Sequence, residues 1–393
     1  MSVSEKNSPQ FRLMMLVIMV FIAGFVQGML LPLLAILLEQ AGYSSAMNGV
    51  NAVALYIGVL IASPFIENPV RKYGYKPVIS VGLITVVITL LILPLWQSFW
   101  LWFVLRLIIG IADNMVHFAT QVWITSTSSK EVRGRNIAIY GLSFSAGFAG
   151  GPLMTNLLAI DERLPFVLAA LFCAVMWLLL LKLKNEWPDN TVDTIQHSGT
   201  LGRYALVIKY GWFAFLPPLA FGFMEATIHG SYPIYALRTG IDIEWLSLIL
   251  PAFVIGGVIT QIPLGVLSDK VGRRKVLLVL STIGAFIFLT IPMYEEQMWL
   301  LVTGFLVAGG LLGSFYSLGL MYLADLIPRQ LLPTGNVLIA ISFSIGSMLG
   351  PLTGGILIDS IGAGSIYYAI AGLLFLLMIA GVLFRPKQTS DLA

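Results

Sequence analysis

The sequence predicts an all-α membrane protein with twelve transmembrane helices in two six-helix halves and both termini on the same side. Three observations carry this. Twelve apolar stretches, each near the ~20 residues that cross a hydrocarbon core of about 30 Å, follow one another with little between them. Of 393 residues, 58% are hydrophobic and only 10% charged, a balance that would drive a soluble domain of this length to aggregate. A motif of the first half also recurs in the second.

In chain order, the spans fall near Leu13–Leu38, Met47–Ile66, Val78–Leu95, Trp100–Ile124, Asn136–Leu158 and Leu164–Leu181, then Tyr210–Leu237, Trp245–Leu267, Val276–Met293, Met298–Leu323, Gly335–Ile358 and Ile366–Leu383. The short alternating segments of a membrane β-barrel are missing from the sequence, which leaves helices to satisfy the backbone in lipid. Twelve is even, so the termini share a side. All but three of the 22 Lys and Arg lie in the tails or in loops on that side, among them Arg71, Lys72, Lys130, Arg133, Arg135, Lys270 and Arg273–Lys275. The positive-inside bias makes that side cytoplasmic. The exceptions are Arg163 and Arg238, which face outward, and Arg106, which lies within span 4.

The net charge of +3 is thus a signal of topology and gives no reason to expect a nucleic-acid partner. Residues 1–11 lack the pattern of a cleaved signal peptide, so the first span is expected to direct insertion. A single cysteine, Cys173, excludes an intramolecular disulfide and a Cys-rich metal site. No cofactor or metal is expected. The sequence has no phosphate loop ending Gly-Lys-Ser/Thr, no paired-His metal motif and no nucleophile elbow, which argues against an enzyme and against ATP as energy source. With tails this short, a signalling domain is not expected.

Ser143-Phe144-Ser145, Gly147 and Gly151-Pro152-Leu153 in span 5 recur as Ser342-Phe343-Ser344, Gly346 and Gly350-Pro351-Leu352 in span 11, 199 residues on. The loop Arg71–Lys76 after span 2 is echoed by Asp269–Lys275 after span 8. Duplicated halves are how many carriers build a site that opens alternately to each side. The expected domains are residues 1–184 and 206–393, joined by a polar cytoplasmic linker, 185–205.

Gly265-Val266-Leu267-Ser268-Asp269-Lys270-Val271-Gly272-Arg273-Arg274-Lys275 resembles the loop signature of the major facilitator superfamily. Arg106-x-x-x-Gly110 resembles that family's second motif. Gly346-x-x-x-Gly350-Pro351-x-x-Gly354-Gly355 resembles the glycine-proline motif of its antiporters, the twelve-span drug:proton efflux group. The resemblance covers the whole chain and implies a major facilitator fold of two bundles around a central cavity, rocking between inward-open and outward-open states. In the first half both motifs depart from the pattern: Arg71 stands for Asp, Glu67 for Gly, and Thr155-Asn156 for Gly-Gly. Glu67 and Arg71 are spaced to pair at i,i+4. The gating motif comprises Arg71, Gly74, Gly151, Pro152, Gly265, Asp269, Gly272, Arg273, Gly350 and Pro351. Asp269 is placed to act as a latch with neighbouring cations. The glycines also permit close helix packing.

Charges deep in spans are the sharpest functional signal, because each costs roughly 3 kcal/mol at mid-membrane unless it lines a cavity or finds a partner. These are Arg106, Asp113 and Glu225, with His117 and His229 one turn from a carboxylate. Arg106, Gly110, Asp113, His117 and Gln121 fall along one stripe of span 4, expected to face the cavity. Arg106 and Asp113 are about 10.5 Å apart along the axis, so the partner of Arg106 must come from elsewhere. Asp113 and Glu225, one in each half, are the expected proton carriers, with Arg106 setting their electrostatics and His117 and His229 as shuttles, tuners or structural histidines. Gln27, Asn51, Tyr56, Tyr232, Gln261 and Tyr316 are the candidate substrate-cavity residues.

So apolar a site suits lipophilic or amphipathic small molecules better than sugars. The expectation is proton-coupled export by a monomer in the inner membrane of a bacterium, with small-molecule substrate, protons and membrane lipids as partners. A lipid or glycolipid translocator of the same fold and an uptake carrier for a metabolite are the alternatives.

Overall fold

A computed structural model describes residues 9–129, 132–188, 200–294 and 296–385. Every regular element among them is helical: α1 (Pro9–Gln40), α2 (Ser45–Ala62), α3 (Glu67–Tyr73), α4 (Tyr75–Ile92), α5 (Phe99–Thr127), α6 (Arg133–Gly150), α7 (Leu164–Leu180), α8 (Thr200–Gly211), α9 (Leu216–Gly230), α10 (Tyr232–Thr239), α11 (Ile243–Val271), α12 (Arg273–Thr290), α13 (Met298–Leu312), α14 (Phe315–Leu326), α15 (Leu332–Ser360) and α16 (Ser365–Leu383). Among the described residues, eleven helical stretches are long and apolar enough to cross a membrane, and α7, at 17 residues, is a shorter apolar helix. The expectation of an all-α membrane protein holds.

Three spans are less regular than their hydropathy suggests. The fifth runs as α6 to Gly150 and tightens into a 3-10 helix, Gly151–Ala159. Its repeat, α15, stays α-helical through Pro351. The seventh span is built from α9 and α10, which meet at Ser231, and is preceded by α8, which begins inside the expected linker. The tenth breaks between α13 and α14 at Gly313-Ser314. Hydropathy reports the apolar length of a span and is blind to such breaks, since the residues at them are small or apolar too.

By contact the chain divides into two units, Met1–Leu38 with Asn51–Asp193 and Glu39–Val50 with Thr194–Ala393. Glu39–Val50 was expected to lie with the first bundle and belongs to the second unit. There Arg238 donates to Glu39 at 2.7 Å, and the Asp359 carboxylate accepts from the backbone N–H groups of Ser45 and Ala46 at 3.2 and 2.8 Å. These donors open α2, where unsatisfied N–H groups and the helix dipole favour an anion.

The repeated glycines explain how each unit packs. A Cβ on Gly147 would strike the Phe21 carbonyl of α1, and one on Gly346 would strike the Leu219 carbonyl of α9. Gly24 and Gly222 meet the Phe144 and Phe343 carbonyls in return. Backbone thus lies on backbone at the equivalent crossing of each half, the contact that small residues make possible in membranes. Gly110 against Leu55 and Gly309 against Phe253 form a second equivalent pair.

Gly74 and Gly272, with φ of 85° and 95°, end α3 and α11 in backbone that other residues rarely adopt. Each lets the chain reverse into the next helix. After the turn, Lys76 donates to the Leu181 and Leu183 carbonyls at 2.8 Å, and Arg274 donates to those of Gly381 and Val382 at 2.8 and 3.0 Å. Cations here satisfy the open carbonyls at the ends of the sixth and twelfth spans.

Candidate functional site

Arg106, on α5, is almost fully buried at 1% exposure. Its Nη1 donates to Asn51 Oδ1 at 3.1 Å, and Asn51 Nδ2 donates to the Phe99 carbonyl at 3.3 Å. Tyr56, also buried on α2, lies within electrostatic reach of the guanidinium. The partner from another helix is therefore a neutral amide. Asn51 and Tyr56, expected in the substrate cavity, are part of a polar brace between α2 and α5.

Asp113, two turns on, lines a small cavity of about 20 Å³ inside the first unit, together with Gln27, Leu55, Leu83, Ile109, Val116 and Cys173 among others. This is room for about one water. Its Oδ1 is 3.5 Å from His117 Nε2, and His117 Nδ1 is hydrogen-bonded to the Tyr140 hydroxyl of α6 at 2.8 Å. The Phe144 ring stands edge-on to the imidazole at 5.0 Å. A larger pocket of about 620 Å³ in the same unit is lined by Gln97, Asp161, Glu162 and Arg163 and includes neither intramembrane carboxylate.

The stripe on α5 is real, but each of its levels meets a different surround. Arg106 and Gly110 are covered by α2, Asp113 faces the small cavity, His117 meets α6, and Gln121 is exposed. Periodicity assigned these residues to one face; it could not tell that other helices cover that face in turn.

In the second unit, Glu225 lies half-buried on α9. The His229 ring, fully buried, bonds through Nδ1 to the Glu225 main-chain carbonyl at 2.9 Å, so it ties down its own helix. Tyr316 is half-buried with its ring 5.5 Å from Phe343. Tyr232, expected in the cavity, is 1% exposed and packs with Tyr235, Phe305 and Tyr367 at 5.3, 4.8 and 6.2 Å; it belongs to the aromatic core of this unit. Gln261 is exposed between exposed Ile259 and Ile262.

Among the described residues, neither Asp113 nor Glu225 forms an ion pair with lysine or arginine.

The loop-motif residues pair as their charges allow. Arg71 donates to Glu67 at 2.8 Å within α3, the i,i+4 pair the spacing suggests. Arg273 bridges Asp269 at 2.7 Å and Asp325 of α14. Gly265 lies on α11, four residues before Asp269. Gly350 and Pro351 are buried, with Gly350 against Phe223 and Thr227. Gly151 and Pro152 are buried at the start of the 3-10 segment, with Gly151 against α1. Lys130, counted for topology, and residues 189–199 of the expected linker lie outside the described residues.

Sequence reasoning missed two residues. Tyr140 is the contact of His117 on α6, and the repeat could have revealed it, because the equivalent position, 199 residues on, is the apolar Ile339. Glu186 takes Arg12 at 2.5 Å and Trp123 Nε1 at 2.8 Å on its carboxylate, and its carbonyl accepts from the Tyr75 N–H at 2.9 Å. It binds α1, α4 and α5 together at one end of the unit. Its place in a polar stretch gave no sign of this.

Two repeated helical units with carboxylates set inside their spans define the class of multi-pass membrane carriers. A sequence profile described as Major Facilitator Superfamily matches residues 16–244 and 211–392. The chain belongs to the major facilitator superfamily. It is 45% identical over 381 residues to the uncharacterized MFS-type transporter YfkF of Bacillus subtilis (strain 168), covering 97% of each chain. It is 21% identical over 344 residues to the MFS-type transporter YcaD of Shigella flexneri, covering 87% of each. Among solved structures it resembles the nucleoside transporter NupG, with TM-score 0.79 at 14% identity over 95% of this chain and 100% of that one. It also resembles a bacterial homologue of the human lysosomal transporter Spinster, with TM-score 0.69 at 17% identity over 96% and 95%. At such identities the likeness concerns the fold alone.

Proposed function

We propose that this transporter exports small, moderately lipophilic or amphipathic compounds from a bacterial cell across its inner membrane in exchange for protons, with Asp113 and Glu225 as the proton carriers. One observation carries the reading. The two intramembrane carboxylates have no lysine or arginine partner among the described residues, while the intramembrane Arg106 donates to neutral Asn51. A permanent ion pair would hold a carboxylate ionised; a carboxyl group without one is free to gain and lose a proton as water reaches it. The apolar surround of Asp113 and the antiporter-like glycine-proline motif support export of lipophilic compounds. Arg106 holds α2 against α5 and places a fixed positive charge two turns from Asp113.

The test is transport of tetraphenylphosphonium in proteoliposomes under an imposed pH gradient. Wild type is expected to move the cation against the proton flow, and Asp113→Asn and Glu225→Gln each to lower the rate by about 100-fold, within the range typical of lost acid-base groups. Transport that ignores the gradient overturns proton coupling. Movement of fluorescent phospholipid between leaflets without movement of the cation favours the lipid-translocator alternative, and accumulation in the opposite direction favours uptake.

A further inference from the structure

His117 is held between Asp113 Oδ1 on one ring nitrogen, at 3.5 Å, and the Tyr140 hydroxyl on the other, at 2.8 Å. We propose that Tyr140 is a positioning residue that sets the orientation and tautomer of His117, making Asp113, His117 and Tyr140 a proton relay confined to the first half of the protein. The inference rests on the reading of Asp113 as a proton carrier.

A neutral imidazole donates from one nitrogen and accepts at the other, so the bond made at Nδ1 decides what Nε2 can do. When the Tyr140 hydroxyl donates to Nδ1, the ring carries its proton on Nε2 and faces an ionised Asp113 as donor. When Asp113 is protonated, its O–H is the donor to Nε2, Nδ1–H turns to the Tyr140 oxygen, and the hydroxyl proton points onward. Transfer along the chain removes one proton from Asp113, adds it at Nε2, moves the Nδ1 proton to the Tyr140 oxygen, and passes the original hydroxyl proton to water reaching the half-buried Tyr140. The chain as a whole is left deprotonated by one proton, the charge resting on Asp113. The 3.5 Å gap is wider than a formed hydrogen bond and closes with a small ring rotation, as resting sites often require.

Three features favour a relay over a packing contact. The Phe144 ring edge at 5.0 Å limits how the imidazole can turn. Beside Asp113 lies the small, largely apolar cavity, to which α1 contributes neutral Gln27 and α7 contributes Cys173. From α6 the titratable group is Tyr140, so among the described residues Asp113 and Tyr140 are the ionisable groups shown in contact with His117. The repeat supplies the contrast. Tyr316, 199 residues beyond His117, meets the Phe343 ring edge-on at 5.5 Å, as His117 meets Phe144, but the place of Tyr140 is taken by fully buried Ile339. The frame is duplicated, and the relay is not.

The experiment compares wild type, Tyr140→Phe, His117→Gln and Asp113→Asn in proteoliposomes, measuring gradient-driven tetraphenylphosphonium transport from pH 5 to 9 and, without a gradient, exchange of labelled for unlabelled tetraphenylphosphonium. The sequence holds three histidines, so the nitrogen NMR signal of the His117 ring can be assigned by substitution and reports its tautomer. Tyr140→Phe is expected to slow gradient-driven transport about tenfold, move its pH optimum and change the His117 tautomer ratio, while leaving exchange within about twofold. An unchanged optimum and tautomer in Tyr140→Phe overturns the relay. Equal loss of driven transport and exchange also overturns it, because it marks a packing role. If Asp113→Asn keeps gradient-driven transport, the underlying proton-carrier reading has failed, and that outcome is separate from the two before it.

Discussion

Compared position by position, the two halves share their backbone contacts and differ in their charges. Gly24, Gly110 and Gly147 in the first half meet carbonyls equivalent to those that Gly222, Gly309 and Gly346 meet in the second. On that common frame, Gln27 corresponds to Glu225, 198 residues on, while Asp113 and Arg106 correspond to Leu312 and Phe305, 199 residues on. Phe305 packs on Tyr232 at 4.8 Å where Arg106 binds Asn51. Among the described residues, each half therefore carries one carboxylate deep in its spans, on a different helix of its repeat, and the first alone carries a buried arginine or lysine. The difference teaches that duplication fixes how helices approach one another and leaves the polar positions free to diverge.

The comparison can be broken most severely at the shared crossings. Gly147→Val and Gly346→Val each force a side chain into a facing backbone and are expected to destabilise the protein by about 3 kcal/mol or more. Thermal unfolding in detergent should fall by similar amounts for both; a loss at one alone would mean that the crossings are not equivalent.

A second contrast concerns the turns after the second and eighth spans. Glu186 and Asn185 close over Gly74, with Asn185 bonding both Lys76 N and the Tyr73 carbonyl, whereas a Cβ on Gly272 would meet open space. Glu186→Ala strips Arg12 and Trp123 of their acceptor and is expected to cost about 2 kcal/mol. Asp269→Ala, whose exposed carboxylate shares Arg273 with Asp325, is expected to cost less than about 1 kcal/mol. Urea or thermal denaturation of the two variants checks the order. Gly272→Ala carries only backbone strain of about 1 kcal/mol, and Gly74→Ala adds a clash with Asn185 and Glu186, so the same assay should rank Gly74 as the more sensitive.

The smallest effect tests what the buried cation is for. Replacing the brace by its counterparts in the repeat, Arg106→Phe with Asn51→Ile, removes a charge and its acceptor together, a change that is often nearly neutral for stability. Unfolding temperature should stay within a few degrees while the pH profile of transport moves, because the fixed charge near Asp113 is gone. Unchanged transport would reduce Arg106 to a packing element.

Much of this frame was legible in the sequence, since apolar length and the repeated Gly-x-x-x-Gly-Pro both follow from the physics of a bilayer. The carboxylates and Arg106 were legible for the same reason, as charges in lipid. What surrounds them was not. Helical periodicity gave Arg106, Asp113 and His117 one face, and their partners Asn51 and Tyr140, with Gln27 lining the cavity beside Asp113, come from three other helices whose rotation no local pattern encodes. Tyr232 has the look of a cavity residue, and only its neighbours Tyr235, Phe305 and Tyr367 place it in a core. Glu186 sits in a polar stretch where one carboxylate resembles any other until Arg12 and Trp123 meet it.

The most direct measurement is proton release from the purified protein in weakly buffered detergent on adding tetraphenylphosphonium, with Asp113→Asn and Glu225→Gln beside the wild type. Binding is expected to displace protons from wild type, and each variant to bind the cation and release fewer protons or none. Binding by wild type with no proton release would contradict the central claim that these two carboxyl groups couple substrate to protons.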